Sequence, residues 1–528
     1  MTAVSTSPQA GPPATSSTLV NAARRALPTV TVALVSTAFL LAIEALVRAT
    51  TAPELLAEGY RFQAWSSNWM MQNLGLEDMA PFGPLALWLK HAYPPGLDVI
   101  RYALMMPEWG SGLDPDPVAV DERLYIVYAF LYGITNAIAF AWVRDLTKSW
   151  RWGVLAASLW ALSPGHILLA TLLEPSELSL VSVSFSFYFL YQFLKTRRPG
   201  YASAFFIALL VASWARSFIQ IYVLVILVVA VVSFHIMANK TSRRWGWTLL
   251  NVVLVALIFA YPVKQFVMFD TWSTTTFGGY HRVGMLHLEP RDVGSPSAQG
   301  TNAPGNGWAS IEDQVAVASG AIIVAEPPQD IIDNALRFSS RFNTQELVRD
   351  NYRLEAAANQ YLRNYPVESI QALFKSLGIT IPEMLKPTSV YTNNVIVESL
   401  PYRGVWDWLV SGWRLLLILG AAVALTVYQR HWSGIVQLSR RYAWLGLYFV
   451  LILLPIIWSN RYFPDRQDEG PIWTDAVRQK MFLALPVSVF VIVSLAKAIS
   501  QLQAKRGHNQ HGHDSAEFDH TRGNEHKI

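Results

Sequence analysis

The chain has 528 residues, 52% hydrophobic and 15% charged, with a mean hydropathy of +0.27 and a formal net charge of +4. That charge content is well under the roughly 25% of a soluble domain; it excludes a disordered or nucleic-acid-binding protein, and the small net charge implies no polyanionic partner. There is no cysteine, so disulfide frameworks, thiolate metal sites and a cysteine nucleophile are excluded.

The apolar residues gather in runs that approach the ~20 residues a helix needs to cross a bilayer. Residues 1–26 read as a disordered, cytoplasmic N-terminus rich in Ser, Thr, Pro and Ala. Arg24 and Arg25 precede the first run, 28–47, and no small-residue cleavage site follows, so it reads as an uncleaved span. Further runs lie near 124–143, 152–172, 178–194, 201–217, 218–237, 246–267, 406–428, 442–459 and 481–499. The expectation is an all-α polytopic membrane protein of about ten transmembrane helices. Twenty Trp and 21 Tyr suit its many membrane–water interfaces.

Loop charges orient these spans. Arg144, Lys148 and Arg151; Lys195, Arg197 and Arg198; Lys240, Arg243 and Arg244; and Arg430, Arg440 and Arg441 occupy alternate connections. By the positive-inside rule those connections are cytoplasmic, with both termini. Segments 49–122, 269–404 and 460–480 then face outward. The expected parts are a transmembrane module, 27–268, containing the first outer loop, 49–122; an extracytoplasmic, mostly helical loop domain, 269–404, between spans seven and eight; C-terminal transmembrane helices, 405–500; and a disordered, His-rich cytoplasmic tail, 501–528. Within the loop domain, Leu347, Leu354, Ala358, Tyr361 and Leu362 have helical spacing, and Pro366 starts a second helix.

Candidate chemistry falls in the outer segments. APELLAEGYRFQAWSSNWMMQNLG (52–75), read as a helix, has a broad apolar face suited to the interface plane. Glu58 near its start is placed for a base acting on a water-borne hydroxyl beside a lipid-held donor; Glu54 and Glu58 also simply favour a helix N-terminus. In HAYPPGLDVIRYALM (91–105), Tyr93-Pro94-Pro95-Gly96 is a rigid turn into a second interfacial helix, and Asp98 and Arg101 are spaced to pair. Asp114-Pro-Asp116 has the Asp-x-Asp form of metal-dependent sugar transferases, and is equally a Pro-rich turn. No metal is assigned, and a divalent metal stays open as a cofactor.

Glu174 and Glu177 end span three at the outer boundary, as a site or as a solvated pair. Arg216 ends span five on the same side, where its fork suits a phosphate or pairs with Glu174 or Glu177. The last outer loop carries Arg461, Arg466, Arg478 and Lys480 against Asp465, Asp468, Glu469 and Asp475, either as a holder of a lipid phosphate or as a salt-bridged loop. After span seven, Gly278-Gly279 permits a tight turn, and Tyr280, His281 and Arg282 suit a sugar or phosphate. His281 and His287 lack the Cys or HExxH context of zinc ligands.

Taken in order, EGYRFQAWSSNWMMQNLG, YPPGLDVIRYAL, SPGHILLATLLEPSELSL, KTRRPGYASAFFIALLVASWARSF, TTTFGGYH, ANQYLRNYPVESIQALFKSLG and NRYF…RQKMFLALP resemble segments of the GT-C superfamily of polytopic glycosyltransferases. The likeness is to its bacterial dolichyl-phosphate-mannose–protein mannosyltransferase-like branch and runs from about residue 30 to 499. It implies a polyprenyl-phosphate-linked sugar donor and inverting transfer to an acceptor hydroxyl on glycan, lipid or protein, outside a bacterial inner membrane. It further implies that Glu58 is the catalytic carboxylate, where the family often has Asp-Glu and this chain has Ala57-Glu58. Asp98, Glu174 and Glu177 are candidates for a second acid. Arg216, Arg461 and Lys480 are candidates for the donor phosphate, and Tyr60, Tyr93, Tyr280 and His281 for acceptor or sugar contacts. A transporter is disfavoured by span middles nearly free of charge and by the lack of an internal repeat. A surface-polysaccharide ligase or polymerase, or a non-catalytic subunit of envelope glycan assembly, is the alternative.

Overall fold

The computed structural model describes residues 16–50, 67–69, 73–105, 115–217, 220–240, 243–286, 327–335, 343–390, 394–429, 432–457, 460–462 and 472–522. The helices in order are α1 Ser16–Thr50, α2 Leu76–Phe82, α3 Pro84–Leu89, α4 Gly96–Met105, α5 Pro117–Thr147, α6 Trp150–Ala161, α7 Pro164–Thr171, α8 Pro175–Thr196, α9 Pro199–Ala215, α10 Val223–Met237 and α11 Arg244–Phe269. There follow α12 Gly278–Met285, α13 Gln329–Asp333, α14 Gln345–Asn364, α15 Pro366–Leu385, α16 Val395–Glu398, α17 Arg403–Leu409, α18 Gly412–Gln429, α19 Trp432–Ile457, α20 Ala476–Gln479 and α21 Met481–Arg522. One antiparallel ribbon, β1 Asn460–Tyr462 with β2 Ile472–Thr474, pairs Arg461 with Trp473.

Among the described residues, five helices are long and apolar enough to cross a membrane, or seven if each of two bent pairs counts once. The other expected runs lie on α9, α10 and Tyr442–Ile457, apolar helices of 10–17 residues. Proline explains much of the punctuation. Pro164, Pro175 and Pro199 each sit in the first turn of a helix, and a proline pushes the residue before it out of the α region. At Ser163 that bends α6 against α7 by 59°. The terminal helices run further than the apolar runs. Helix α1 begins at Ser16, ahead of the expected boundary at 26, and α21 continues through the polar tail to Arg522.

Helix α8 is the hub. Of its most apolar stretch 83% of residues are buried, against 17% for α1, which is therefore peripheral. Phe187, Leu190 and Phe193 of α8 meet Phe205, Phe206, Phe234 and Tyr448 in the main core. Large apolar side chains such as Leu34, Val225, Ile236, Val267 and Leu417 stay exposed on outward faces. A surface of that kind suits lipid rather than water, and the chain has the architecture of a helical membrane protein.

The connections sort to the two ends of this bundle. At one end Lys195 Nζ bonds Asp145 across 2.6 Å, and Asn239 N donates to Arg197 O across 2.9 Å. At the other end the first outer loop, the α7–α8 and α9–α10 turns and the 271–277 segment meet. Gln220 Nε2 reaches Thr274 Oγ1 across 3.3 Å, and Asn343 Oδ1 accepts from the His91 and Ala92 backbone N–H groups at 3.0 Å. In the loop domain, Thr344 caps α14 through Leu347 N, and Leu347, Leu354 and Ala358 turn inward onto Phe277 and Tyr280.

The first outer loop docks on α9 through a glycine. A Cβ on Gly96 would stand 2.5 Å from Trp214 O and 2.8 Å from Trp214 C, both backbone atoms that cannot swing away. Gly96→Ala is expected to destabilise the protein by about 1–3 kcal/mol, the usual cost of overpacking. Thermal unfolding in detergent reads it, and an unchanged midpoint would contradict the close approach.

Candidate functional site

The α7–α8 turn carries a strained backbone. Leu173, wholly buried, has φ +50°, a left-handed conformation rare for a bulky residue. It delivers Glu174 to the N-terminus of α8, ahead of Pro175. Tyr128 of α5 donates to Glu174 O at 2.6 Å, and Ser176 Oγ donates to Glu174 Oε1 at 2.5 Å.

Around Glu174 stands a buried ionic quartet. Arg478 Nη1 bonds both Glu174 carboxylate oxygens, and its Nη2 reaches Asp475 Oδ2 at 2.7 Å. Arg216 Nη2 donates to the same Asp475 oxygen at 3.0 Å, while its Nη1 donates to Ser176 Oγ at 3.0 Å. All four side chains are no more than 5% exposed. Two guanidinium groups face two carboxylates, so the quartet is close to neutral. Arg216 thus takes Asp475, not Glu174 or Glu177, as its carboxylate partner.

Beside it lies Glu177, with zero exposure and no hydrogen-bond partner on either carboxylate oxygen among the described residues. His166 Nε2, also buried and unbonded, is 3.4 Å from Glu177 Oε1. The His166 ring stacks on Tyr132 at 4.3 Å. This is the only described pair of buried acid and imidazole in such contact, and it is chemically the most available acid–base pair at this end.

Asp98 is held differently. It pairs with Lys90 and, at 2.7 Å, with Arg101, and it accepts Leu74 N at 3.2 Å. Arg101 also bonds Ser67 Oγ at 3.0 Å, Asn68 Oδ1 at 3.1 Å and Leu74 O at 2.6 Å. Asp98 therefore organises the first outer loop from inside. Burial pushes the Lys90 ammonium down against the pull of Asp98.

Next to Lys90, Lys264 lies 5.0 Å from the Phe269 ring centroid, and the His91 ring packs on Phe269 at 4.9 Å. Burial, then Lys264, pushes His91 down to about 3, so its imidazole is neutral. Its Nδ1 is 2.8 Å from Thr276 Oγ1, and its Nε2 is buried without a partner. Lys90 and Arg101 both pair with Asp98, whereas Lys264 Nζ donates to the Lys90 backbone carbonyl.

The sugar-contact candidates come together. Tyr93 and Tyr280 flank Phe277, with ring centroids 5.2 and 5.6 Å from it. Tyr280 OH donates to Asp350 Oδ2 at 3.1 Å, and burial pushes Asp350 up to about 6. His281 is half-buried on the same helix, α12. The β1 strand bearing Arg461 lies against α12, and the Arg461 side chain is outside what the structure describes. Lys480 Nζ donates to Met384 O at 2.9 Å and to Lys386 O, closing the end of α15. Glu58, Tyr60 and Asp114 lie outside the described residues. Asp116 caps α5, accepting Val118 N at 2.9 Å. No group of three or more His, Asp or Glu side chains converges as a metal set among the described residues.

Sequence reasoning named Asp475 and Arg478 among the charges of the 460–480 segment without their partners Glu174 and Arg216, and did not single out Lys90, His166 or Lys264. Lys264 alone carried a signal, as an ionisable residue inside an apolar run. The others depend on partners far along the chain. In comparisons with known proteins, no family model, no curated protein and no solved structure matches this chain.

The quartet makes a stability test. Arg478→Met leaves Glu174 buried without its cation, and the expected cost is about 3–5 kcal/mol. Adding Glu174→Gln removes the stranded charge, so the double variant is expected to lose less than the sum of the two singles. Unfolding in detergent measures both, and strict additivity would contradict the pairing.

Proposed function

We propose that the chain is a GT-C-type membrane glycosyltransferase, of about ten spans, that moves a sugar from a polyprenyl-phosphate donor to an acceptor hydroxyl at the extracytoplasmic face of a bacterial inner membrane. The observation that supports it is convergence. Glu174, Glu177, Arg216, Asp98, Tyr93 and Tyr280, candidates from separate segments, are buried at one end of the helix bundle. That end is the one the loop charges leave outside the cytoplasm.

On this reading the acceptor hydroxyl gives its proton to Glu58 as its oxygen attacks the anomeric carbon. The bond from that carbon to the phosphate oxygen breaks, with inversion, and polyprenyl phosphate departs. Cations stabilise the charge that develops on the leaving group. Arg461 and Lys480 remain candidates for that role. Arg216 joins them only if phosphate displaces Asp475 from its guanidinium. Glu177 with His166 is the favoured second acid, because Asp98 and Glu174 are committed to ion pairs.

One observation favours a second reading. A near-neutral quartet needs no ligand to complete it, as suits a non-catalytic subunit of envelope glycan assembly. Purified protein incubated with polyprenyl-linked sugars separates the readings. Release of polyprenyl phosphate is expected, and Glu58→Gln should lower it about 10²–10⁴-fold, the usual worth of general-base help, with the protein still folded. Release of diphosphate would mark a ligase or polymerase, and no turnover with any donor would mark the subunit.

A further inference from the structure

At the opposite end of the bundle, α5 and α8 finish side by side against the start of α9. Between them opens a cleft of about 510 Å³, lined by Arg144, Asp145, Lys148, Tyr188, Gln192 and Tyr201 among others. Asp145 is the only carboxylate of the lining, and it is surrounded. Lys195 Nζ lies 2.6 and 2.5 Å from its two oxygens, Lys148 Nζ lies 3.1 Å away, and Gln192 Nε2 donates at 3.1 Å. Arg144 is different. Its guanidinium carbon sits 4.9 Å from the Phe140 ring centroid, and among the described residues no carboxylate pairs with it. Three cations against one anion leave two positive charges at the mouth of a polar cleft.

Helix ends account for part of this, because Arg144 and Lys195 lie in the last turns of α5 and α8, where cations complement the dipole. They do not account for the cleft or for the two tyrosines beside it. Tyr188 and Tyr201 bring rings with polar tips to the level where the bundle leaves its apolar belt, the position such residues take at a membrane–water interface. An aromatic wall, hydrogen-bonding groups and surplus cations at that depth match a phosphate diester that arrives from the lipid side.

We propose that this cleft holds the phosphate headgroup of an anionic phospholipid of the cytoplasmic leaflet. The site rests on the spanning assignment of α5 and α8 and is independent of sugar transfer. The ligand chemistry, a phosphate beside a small polyol, is shared with free glycerol phosphate, so the test separates the two. Native mass spectrometry of the full chain in detergent is titrated with short-chain phosphatidylglycerol, short-chain phosphatidylcholine and glycerol 3-phosphate. Tight binding is expected for the anionic lipid alone. The double variant Arg144→Gln with Lys148→Gln should weaken it about 25-fold, at about fivefold per basic residue facing an anionic leaflet. Arg151→Gln, an exposed basic position outside the cleft, should leave it unchanged. Equal affinity for the zwitterionic lipid, which needs no variant to measure, would overturn the proposal. So would equal weakening by Arg151→Gln, or glycerol phosphate binding as tightly as the lipid.

Discussion

Four charged side chains removed from water set the terms for one end of this helix bundle. Glu174, Arg216, Asp475 and Arg478 are buried where each isolated charge would cost several kcal/mol, so each must find its partner or the end cannot close. Their partners lie in the α7–α8 turn, at the end of α9 and just after the β-ribbon. Arg216 and Asp475 are 259 positions apart, and Arg478 and Glu174 are 304 apart. A contact of that span cannot be made by a loop folding alone. It forces three regions of the bundle into one arrangement, and the strained backbone at Leu173 is held by the same closure.

Charge balance then divides the outer end into regions with different capacities. The quartet is close to neutral and acts as a fastening. The His166–Glu177 pair is buried and under-bonded, which leaves it chemical freedom. Lys264 Nζ donates to the Lys90 backbone carbonyl beside His91, and Lys90 ties that contact to Asp98 and Arg101. Tyr93 and Tyr280 are buried against Phe277 in the core beneath the 343–364 segment.

Much of the framework was legible in the chain. The apolar runs fall on helices, two of them on helix pairs bent by 59°, the prolines at 164, 175, 199 and 366 start helices, and the Asp98–Arg101 spacing does produce a pair. These are local properties, carried by periodicity and by the stereochemistry of proline. Span lengths were less legible. Helix α9 comes out short, at 17 residues, because Pro199 sets its start and Arg216 turns to extended backbone at its end, and α10 has 15 residues; composition averages over both. The site was least legible. Glu174 and Glu177 read equally well as solvated residues, and only the arrival of Arg478 and His166 explains their burial. The second cation on Asp98, Lys90, was not legible because it reaches the carboxylate through the fold of the loop and not along one helix.

The account stands on the quartet's end of the bundle facing out of the cytoplasm. Because the chain contains no cysteine, single introduced thiols report that directly. Asp330→Cys on α13 and Lys240→Cys in the α10–α11 connection are both at exposed positions. In intact cells a membrane-impermeant maleimide is expected to label the first variant and to reach the second only after permeabilisation. Labelling of Lys240→Cys with protection of Asp330→Cys would contradict the account.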